Sequence, residues 1–402
     1  MKAARRTFIA MCLSGALLPA WAQQPIRIGE ISSYSALPQG TEGYRKGWEL
    51  ATEEINAAGG LLGGRKIEVL VRDDAGKPDV ATRAAQELVT NEKVDLLTGT
   101  ILSHIGVAVG DFAGRNKVFF LATQPLTDSL IWEKGNRYTF RLRPSTYTQT
   151  VALVEEAAKL PGRRWATIAP NYEYGQSAVA SFKAALKAKR PDVEFVTEQW
   201  PALGKLEAGS TVQALAAAKP DAIFNVTFGA DLARFVREGN TRGLFQNRSV
   251  VSLLTGEPEY LEPLKDDAPK GWIVTGYPWY AIKTPEHSRF LQAYQKKHKE
   301  TPKIGSIIGY TNMYAIAAII RKAGSLDTEK LIAAARGLTV DTPMGPITFR
   351  SQDHQSTLGV YIGKLDVKGG QGMMVDWKYV DGKAFQADDA MVRAKRPAEA
   401  MK

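Results

Sequence analysis

Residues 55–74 read INAAGGLLGGRKIEVLVRDD. Upstream, Tyr44, Trp48, Ala51 and Ile55 are spaced by four, three and four, which lines up one face of a helix. Gly59-Gly60 stops that helix, because glycine takes the positive φ that a helix C-terminus needs. A short apolar strand, RKIEVLVRDD, follows and ends in Asp73-Asp74. The order helix, glycines, strand excludes GGLLGG as a dinucleotide fingerprint, which must follow a strand and open a helix.

Working outward, IRIGEI is a strand before this helix. Pro78 opens the next helix, whose buried face carries Val80, Ala84 and Leu88. KVDLLTG and KVFFLAT are strands flanking a helix with Ile105, Val109 and Phe112. Strands alternating with helices predict parallel pairing through right-handed crossovers, an α/β doubly wound sheet. The alternation restarts at RWATIAP, DVEFVTEQW, DAIFNVTF and SVVSLLTG, so a second lobe is expected. Helical patterns follow at residues 287–299 and 312–323. No low-complexity linker separates the halves.

The chain has 402 residues, 44% of them hydrophobic, enough for two domains of ordinary size. Residues 1–22 combine a basic start (Lys2, Arg5, Arg6), an apolar run and Ala20-Trp21-Ala22, the pattern of a cleaved secretory signal. Arg5-Arg6 also fits twin-arginine export, so Sec and Tat stay open. The single cysteine, Cys12, lies in that segment, so the mature chain is expected to hold no disulfide. Net charge is +10, or +7 without the signal, and the basic residues are interspersed with acidic ones. That spread argues against a nucleic-acid groove, which needs a clustered stripe.

No G-x-S-x-G elbow occurs, and "GTILSHIG" and "YGQSAVA" lack its paired glycines. Ser103 and His104 are neighbours, which gives the imidazole no reason to face the hydroxyl. A secreted serine hydrolase using this pair is the competing reading. His104, His287, His298 and His354 have no metal-ligand spacing, so neither a metal nor a cofactor is expected.

Ser103 stands just past a strand at a helix start. There it either caps the helix or offers its hydroxyl to a ligand carboxylate, helped by the free N–H groups. Thr123, Gln124 and Thr127 follow the fourth strand, as donors or as turn residues. Tyr172, Tyr174 and Phe228 sit at strand ends of the second lobe, where they wall a pocket or pack the core. Glu257 is either a solvated loop residue or the counter-ion of a ligand ammonium. Tyr34, Tyr277, Trp279 and Tyr310 are further candidates for the cleft.

Together these residues resemble the leucine/isoleucine/valine-binding protein family, periplasmic receptors of ATP-driven amino-acid importers. The tokens are INAAGGLLGGRKIEV, RDDAGKP, the tyrosine-glycine of YEYGQS, and VDTPMGPITF at 340–349, over residues 25 to about 375. The resemblance implies two lobes joined by three crossover strands. These are residues 23–142 plus 273–345 and residues 143–272 plus 346–380, with a tail at 381–402 and hinges near Leu142, Val274 and Met344. It also implies that Ser103 meets the ligand α-carboxylate with help from the Gln124 loop, that Tyr174 and Phe228 cover the ligand, and that Glu257 holds its ammonium. A monomer without catalytic activity, partnered by the permease and ATPase subunits of an importer or else by a membrane receptor, is the implied role.

Three departures qualify the likeness. The positions of the family's disulfide hold Gly76 and Leu102. Leu126 stands where a carboxylate-binding threonine is expected, unless Thr127 shifts by one. Gly40 replaces a tyrosine over the ligand, which predicts a larger pocket. Members of the family also bind aromatic acids, amides and urea, so the ligand is an amino acid, of branched-chain type, or a related small carboxylate.

Overall fold

A computed structural model describes residues 24–401; the predicted signal segment lies outside the described residues. The first sheet is built from β1 (Ile26–Ser32), β2 (Ile67–Asp73), β3 (Leu96–Gly99), β4 (Phe120–Ala122) and β5 (Thr139–Arg141). Its order is β2-β1-β3-β4-β5, with every pair parallel. The connecting helices are α1 (Pro38–Ala57), α2 (Pro78–Thr90) and α3 (Ser103–Asn116). Gly59 and Gly60 do end α1, at φ of +106° and +76°.

After α4 (Thr146–Ala157) the second sheet starts with β6 (Arg164–Ile168), α5 (Glu173–Lys189), β7 (Glu194–Gln199), α6 (Ala208–Ala217) and β8 (Ala222–Asn225). It continues through α7 (Gly229–Thr241), β9 (Ser249–Gly256), α8 (Pro258–Leu261) and β10 (Ile273–Gly276). The chain returns to the first lobe for α9 (Pro285–His298), α10 (Ile304–Ala323), α11 (Thr328–Ala335) and the small ribbon β11 (Thr339–Val340) and β12 (Ile347–Thr348). It then adds the hairpin β13 (Val360–Lys368) and β14 (Gln371–Val380), and ends with α12 (Asp389–Lys395). The second sheet runs β14-β13-β10-β9-β8-β6-β7, parallel except for the antiparallel hairpin edge. The two-lobed α/β architecture is thus the expected one.

Three expectations are corrected. β10 pairs with β9 and β13 in the second sheet, so the chain crosses back after Gly276, not at 273, and Val274 is interior strand instead of hinge. Met344 lies between the strands of the β11–β12 ribbon, and the third crossing comes later, where Gln355 bridges Arg141. The C-terminal segment is no loose tail. It leaves β14 and docks on the first lobe, where buried Arg396 donates to the Asn136 carbonyl at 2.9 Å and Lys395 lies 4.9 Å over the Trp132 ring. These contacts make a fourth passage between the lobes.

α10 starts at Ile304, eight residues before the predicted pattern. Nearly every side chain from Ile304 to Met313 is buried, so the segment has no polar face to reveal a helical period. It lies against α1 through glycines. A Cβ at Gly47 would stand 1.9 Å from the Ser306 carbonyl oxygen, and one at Gly309 would stand 2.1 Å from that of Tyr44.

Candidate functional site

Parallel sheets place their ligand-facing loops at the carboxyl ends of strands, beside the point where strand order reverses. In the first lobe that edge carries Ser103 after β3 and Gln124 after β4; in the second it carries Tyr172 and Tyr174 after β6, Phe228 after β8, and Tyr260 after β9. Arg143 follows β5 at the first crossing. All seven residues line one cavity between the lobes, of about 30 Å³. That is room for roughly one water.

Ser103 does not cap its own helix, contrary to one expectation. Leu102 is the capping residue, with extended backbone and no side-chain cap. The Ser103 Oγ instead accepts the N–H groups of Leu126 and Thr127, each at 3.2 Å. With its lone pairs engaged by the loop, its O–H is left to donate. The Gln124 N–H donates to the Thr100 carbonyl at 3.3 Å, while its side-chain Nε2 is buried with no partner among the described residues. Tyr174 has the same character: its hydroxyl is buried and unpartnered, and burial pushes its pKa well up. An unpaired buried donor is costly, so each of these groups calls for an acceptor, from water or from a ligand.

The aromatic side chains form a continuous wall. Tyr172 and Tyr174 lie 6.1 Å apart, Tyr174 and Phe228 5.8 Å, and Phe228 and Tyr260 5.9 Å between ring centroids. His104 turns its ring edge-on to Tyr172 at 5.4 Å, and no bond joins it to Ser103. Ser103 and His104 therefore do not form the hydrogen-bonded pair that a serine hydrolase uses.

At the crossing, the guanidinium of Arg143 forms a buried ion pair with Glu257 Oε1; the side chains are 9% and 4% exposed. Burial pushes the Glu257 carboxyl up to about 7, against the pull of Arg143. Arg143 lines the cavity and Glu257 stands behind it, which sequence reasoning missed. Two signals pointed this way: Arg143 stands two residues past the end of the strand TFR, and Tyr260 is three residues beyond Glu257 on the same turn.

Other candidates fall elsewhere. Thr123 lies behind the cavity, its Oγ1 3.3 Å from the Tyr44 hydroxyl. Tyr34 donates to buried Glu30 at 2.7 Å, and Tyr310 to Glu54 at 2.6 Å. Thr127 reaches across to Glu173 of the second lobe at 2.9 Å, so it joins lobes and does not replace the expected threonine. Tyr277 and Trp279 border a separate cavity of about 360 Å³ beyond α8, with Pro258, Leu261 and Met374. The extra room predicted at Gly40 is filled: a Cβ there would stand 2.7 Å from Ile101 and 3.5 Å from the Tyr260 hydroxyl. Leu102 reaches within 3.9 Å of a Cβ placed at Gly76, an apolar contact at the positions of the family's disulfide.

Two doubly wound lobes meeting across a cavity at their strand ends define a two-lobed binding-protein fold. The chain belongs to the periplasmic binding protein family, whose description matches residues 25–371. It is 26% identical over 359 residues to Leu/Ile/Val-binding protein homolog 7 of Brucella suis biovar 1 (strain 1330), covering 84% of this chain and 87% of that one. Among solved structures it shares the fold of a solute-binding protein of an ABC transporter from Rhodopseudomonas palustris BisB5 in complex with 3,4-dihydroxybenzoic acid. The TM-score is 0.79 at 24% identity, covering 89% and 98% of the two chains. It also shares the fold of a leucine-binding protein of Thermotoga maritima MSB8, with a TM-score of 0.75 at 20% identity, covering 88% and 98%. These relatives are binding proteins for transport, and such proteins take small molecules to a membrane permease.

Proposed function

We propose that this protein is the periplasmic solute-binding subunit of an ABC importer and captures a small organic carboxylate between its lobes. The supporting observation is the set of converging donors: the Ser103 hydroxyl, the unpartnered Gln124 amide and Tyr174 hydroxyl, and the cavity-facing Arg143 guanidinium. A carboxylate accepts several hydrogen bonds at once and suits such a set. The aromatic wall takes the apolar body of the ligand.

Ser103 and Gln124 come from one lobe and the aromatic residues from the other, so the ligand gains its full contacts only when the lobes close. That difference in contact is what shifts the population toward the closed form. The pivots lie at Leu142–Arg143, at Tyr277 and beyond Phe349, where the chain passes between sheets. A cavity of about 30 Å³ is too small for an amino acid, so the lobes must part for entry and then close on the ligand less far than they do in this structure. The mature chain begins after Ala22, following Sec or Tat export, and acts as a monomer with the permease and ATPase subunits.

Two carboxylate classes fit. A branched-chain amino acid takes its ammonium toward Glu257, which stands behind Arg143, and so competes with the Arg143 ion pair. An aromatic acid leaves that ion pair whole and stacks on Tyr172, Tyr174 and Phe228. A thermal-shift screen of residues 23–402 separates them, using L-leucine, L-isoleucine, L-valine, benzoate, 4-hydroxybenzoate, acetamide and urea. A ligand at 100 times its Kd stabilises by about 2.7 kcal/mol. A shift with amino acids that Glu257→Ala abolishes favours the first class, and a shift with aromatic acids alone favours the second. A shift only with the amides or urea would overturn the carboxylate reading.

A further inference from the structure

The turn that follows β9 does two things at once. On one side Tyr260 lines the cavity and Glu257 holds Arg143. On the other, Glu259 and Glu262 reach the opposite lobe. The carboxylate of Glu259 accepts the N–H of Ile304 at 3.1 Å and that of Gly305 at 3.3 Å, at the start of the 20-residue helix α10. Glu262 forms an ion pair with Lys303, and Gln39 at the start of α1 donates to the Glu259 carbonyl. Glu259 is 5% exposed.

The chemistry of this junction is complementary. The first turn of a helix presents unpaired N–H groups and the positive end of its dipole. α10 has no acidic residue in its own first turn; its own Ser306 Oγ accepts the Lys303 N–H at 3.0 Å, and the next two N–H groups go to Glu259. The anion that its end lacks is supplied from the other lobe, 45 residues back in the chain. A buried carboxylate needs compensation as much as the helix end does, and each group satisfies the other.

We infer that Glu259 is a positioning residue for ligand capture: its carboxylate, seated on the N-terminus of α10, latches the cavity-lining turn of one lobe to the other and maintains a closed population through protein contacts alone. The inference rests on the lobe closure proposed above but is independent of which ligand is taken. It separates the energy of closure into a share from the ligand and a share from the latch, so affinity depends on a residue that does not touch the ligand.

The test reads the distance between lobes without any ligand. Expressed from residue 23 the chain has no cysteine, so Gln86→Cys on α2 and Gln213→Cys on α6, both exposed, accept one spin label each. Pulsed electron–electron double resonance then gives the distance distribution for the parent, Glu259→Gln and Glu259→Ala. The expected result is a short-distance population in the parent that falls at least threefold in Glu259→Ala. Glu259→Gln, which keeps an acceptor oxygen but loses the charge, should lie between them. If Glu259→Ala does not fold, judged by circular dichroism, the Glu259→Gln arm decides alone. A parent with no short-distance population, or variants with the parent's distribution, would overturn the latch and leave the thermal-shift result for the ligand untouched.

Discussion

Gly47→Ala sets two well-known effects against each other at one atom. Alanine is preferred over glycine in a helix interior by about 0.8–1.0 kcal/mol, which alone would stabilise α1. The added Cβ, however, would stand 1.9 Å from the Ser306 carbonyl oxygen, 2.7 Å from its carbon and 3.0 Å from its Cα. All three atoms are backbone, so no side chain can swing away. Reaching an ordinary carbon–oxygen contact requires α1 and α10 to part by roughly 1.3 Å, and a radial gap of 0.5–1 Å already forfeits about a quarter to a half of each dispersion contact. Overpacking of this kind costs about 1–3 kcal/mol, and more where backbone must move. The clash outweighs the propensity, and a net loss of about 2 kcal/mol is expected. Gly209→Ala is the internal control. It lies in the first turn of α6, where the nearest atom to a new Cβ is the Arg242 guanidinium at 3.5 Å, an ordinary contact, so a smaller propensity gain should stand unopposed. Urea unfolding of both variants should move the midpoints in opposite directions. A midpoint for Gly47→Ala at or above the parent's would refute the close-packing argument.

Ser103→Ala leaves the N–H groups of Leu126 and Thr127 buried without their acceptor. It should cost about 1–3 kcal/mol in urea unfolding, besides any ligand affinity, and an unchanged midpoint would show that the loop does not depend on this hydroxyl. Burial pushes the Glu30 carboxyl up to about 8, above its unfolded value near 4.5, so its ionisation opposes folding progressively from pH 4.5 to about 8. Glu30→Gln should therefore raise the unfolding midpoint more at pH 9 than at pH 5, and an equal change at both would contradict the burial argument. Arg396→Leu leaves the Ile131 and Asn136 carbonyls unpaired and should lower stability by about 2 kcal/mol in the same assay.

The parts of the fold legible in the sequence are those with a period or a stop. α1 and β2 could be read because Gly59-Gly60 divides a 3.6-residue pattern from a run of β-branched residues. The start of α10 could not, because a helix buried all round has no alternation to read. The lobe to which β10 belongs was equally hidden: the four residues IVTG fit a strand in either sheet, and partners far along the chain decide. For the site, position after a strand singled out Ser103, Gln124, Tyr172, Tyr174 and Phe228, which line one cavity. Thr123 and Tyr34 were also singled out but bond to Tyr44 and Glu30 outside that lining, because strand ends do not reveal which way a side chain turns. Arg143 escaped because its role depends on Glu257, 114 residues away, folding back behind it.

A crystal structure of residues 23–402 with the compound giving the largest thermal shift decides whether the cavity between the lobes receives a carboxylate at Ser103. That ligand should lie between the lobes, with a carboxylate oxygen within hydrogen-bonding distance of Ser103 Oγ and the Gln124 amide and its apolar body against Tyr174 and Phe228. A ligand bound instead in the larger cavity beyond α8, among Trp279, Leu261 and Met374, or in the cleft with its carboxylate turned away from Ser103, would contradict it.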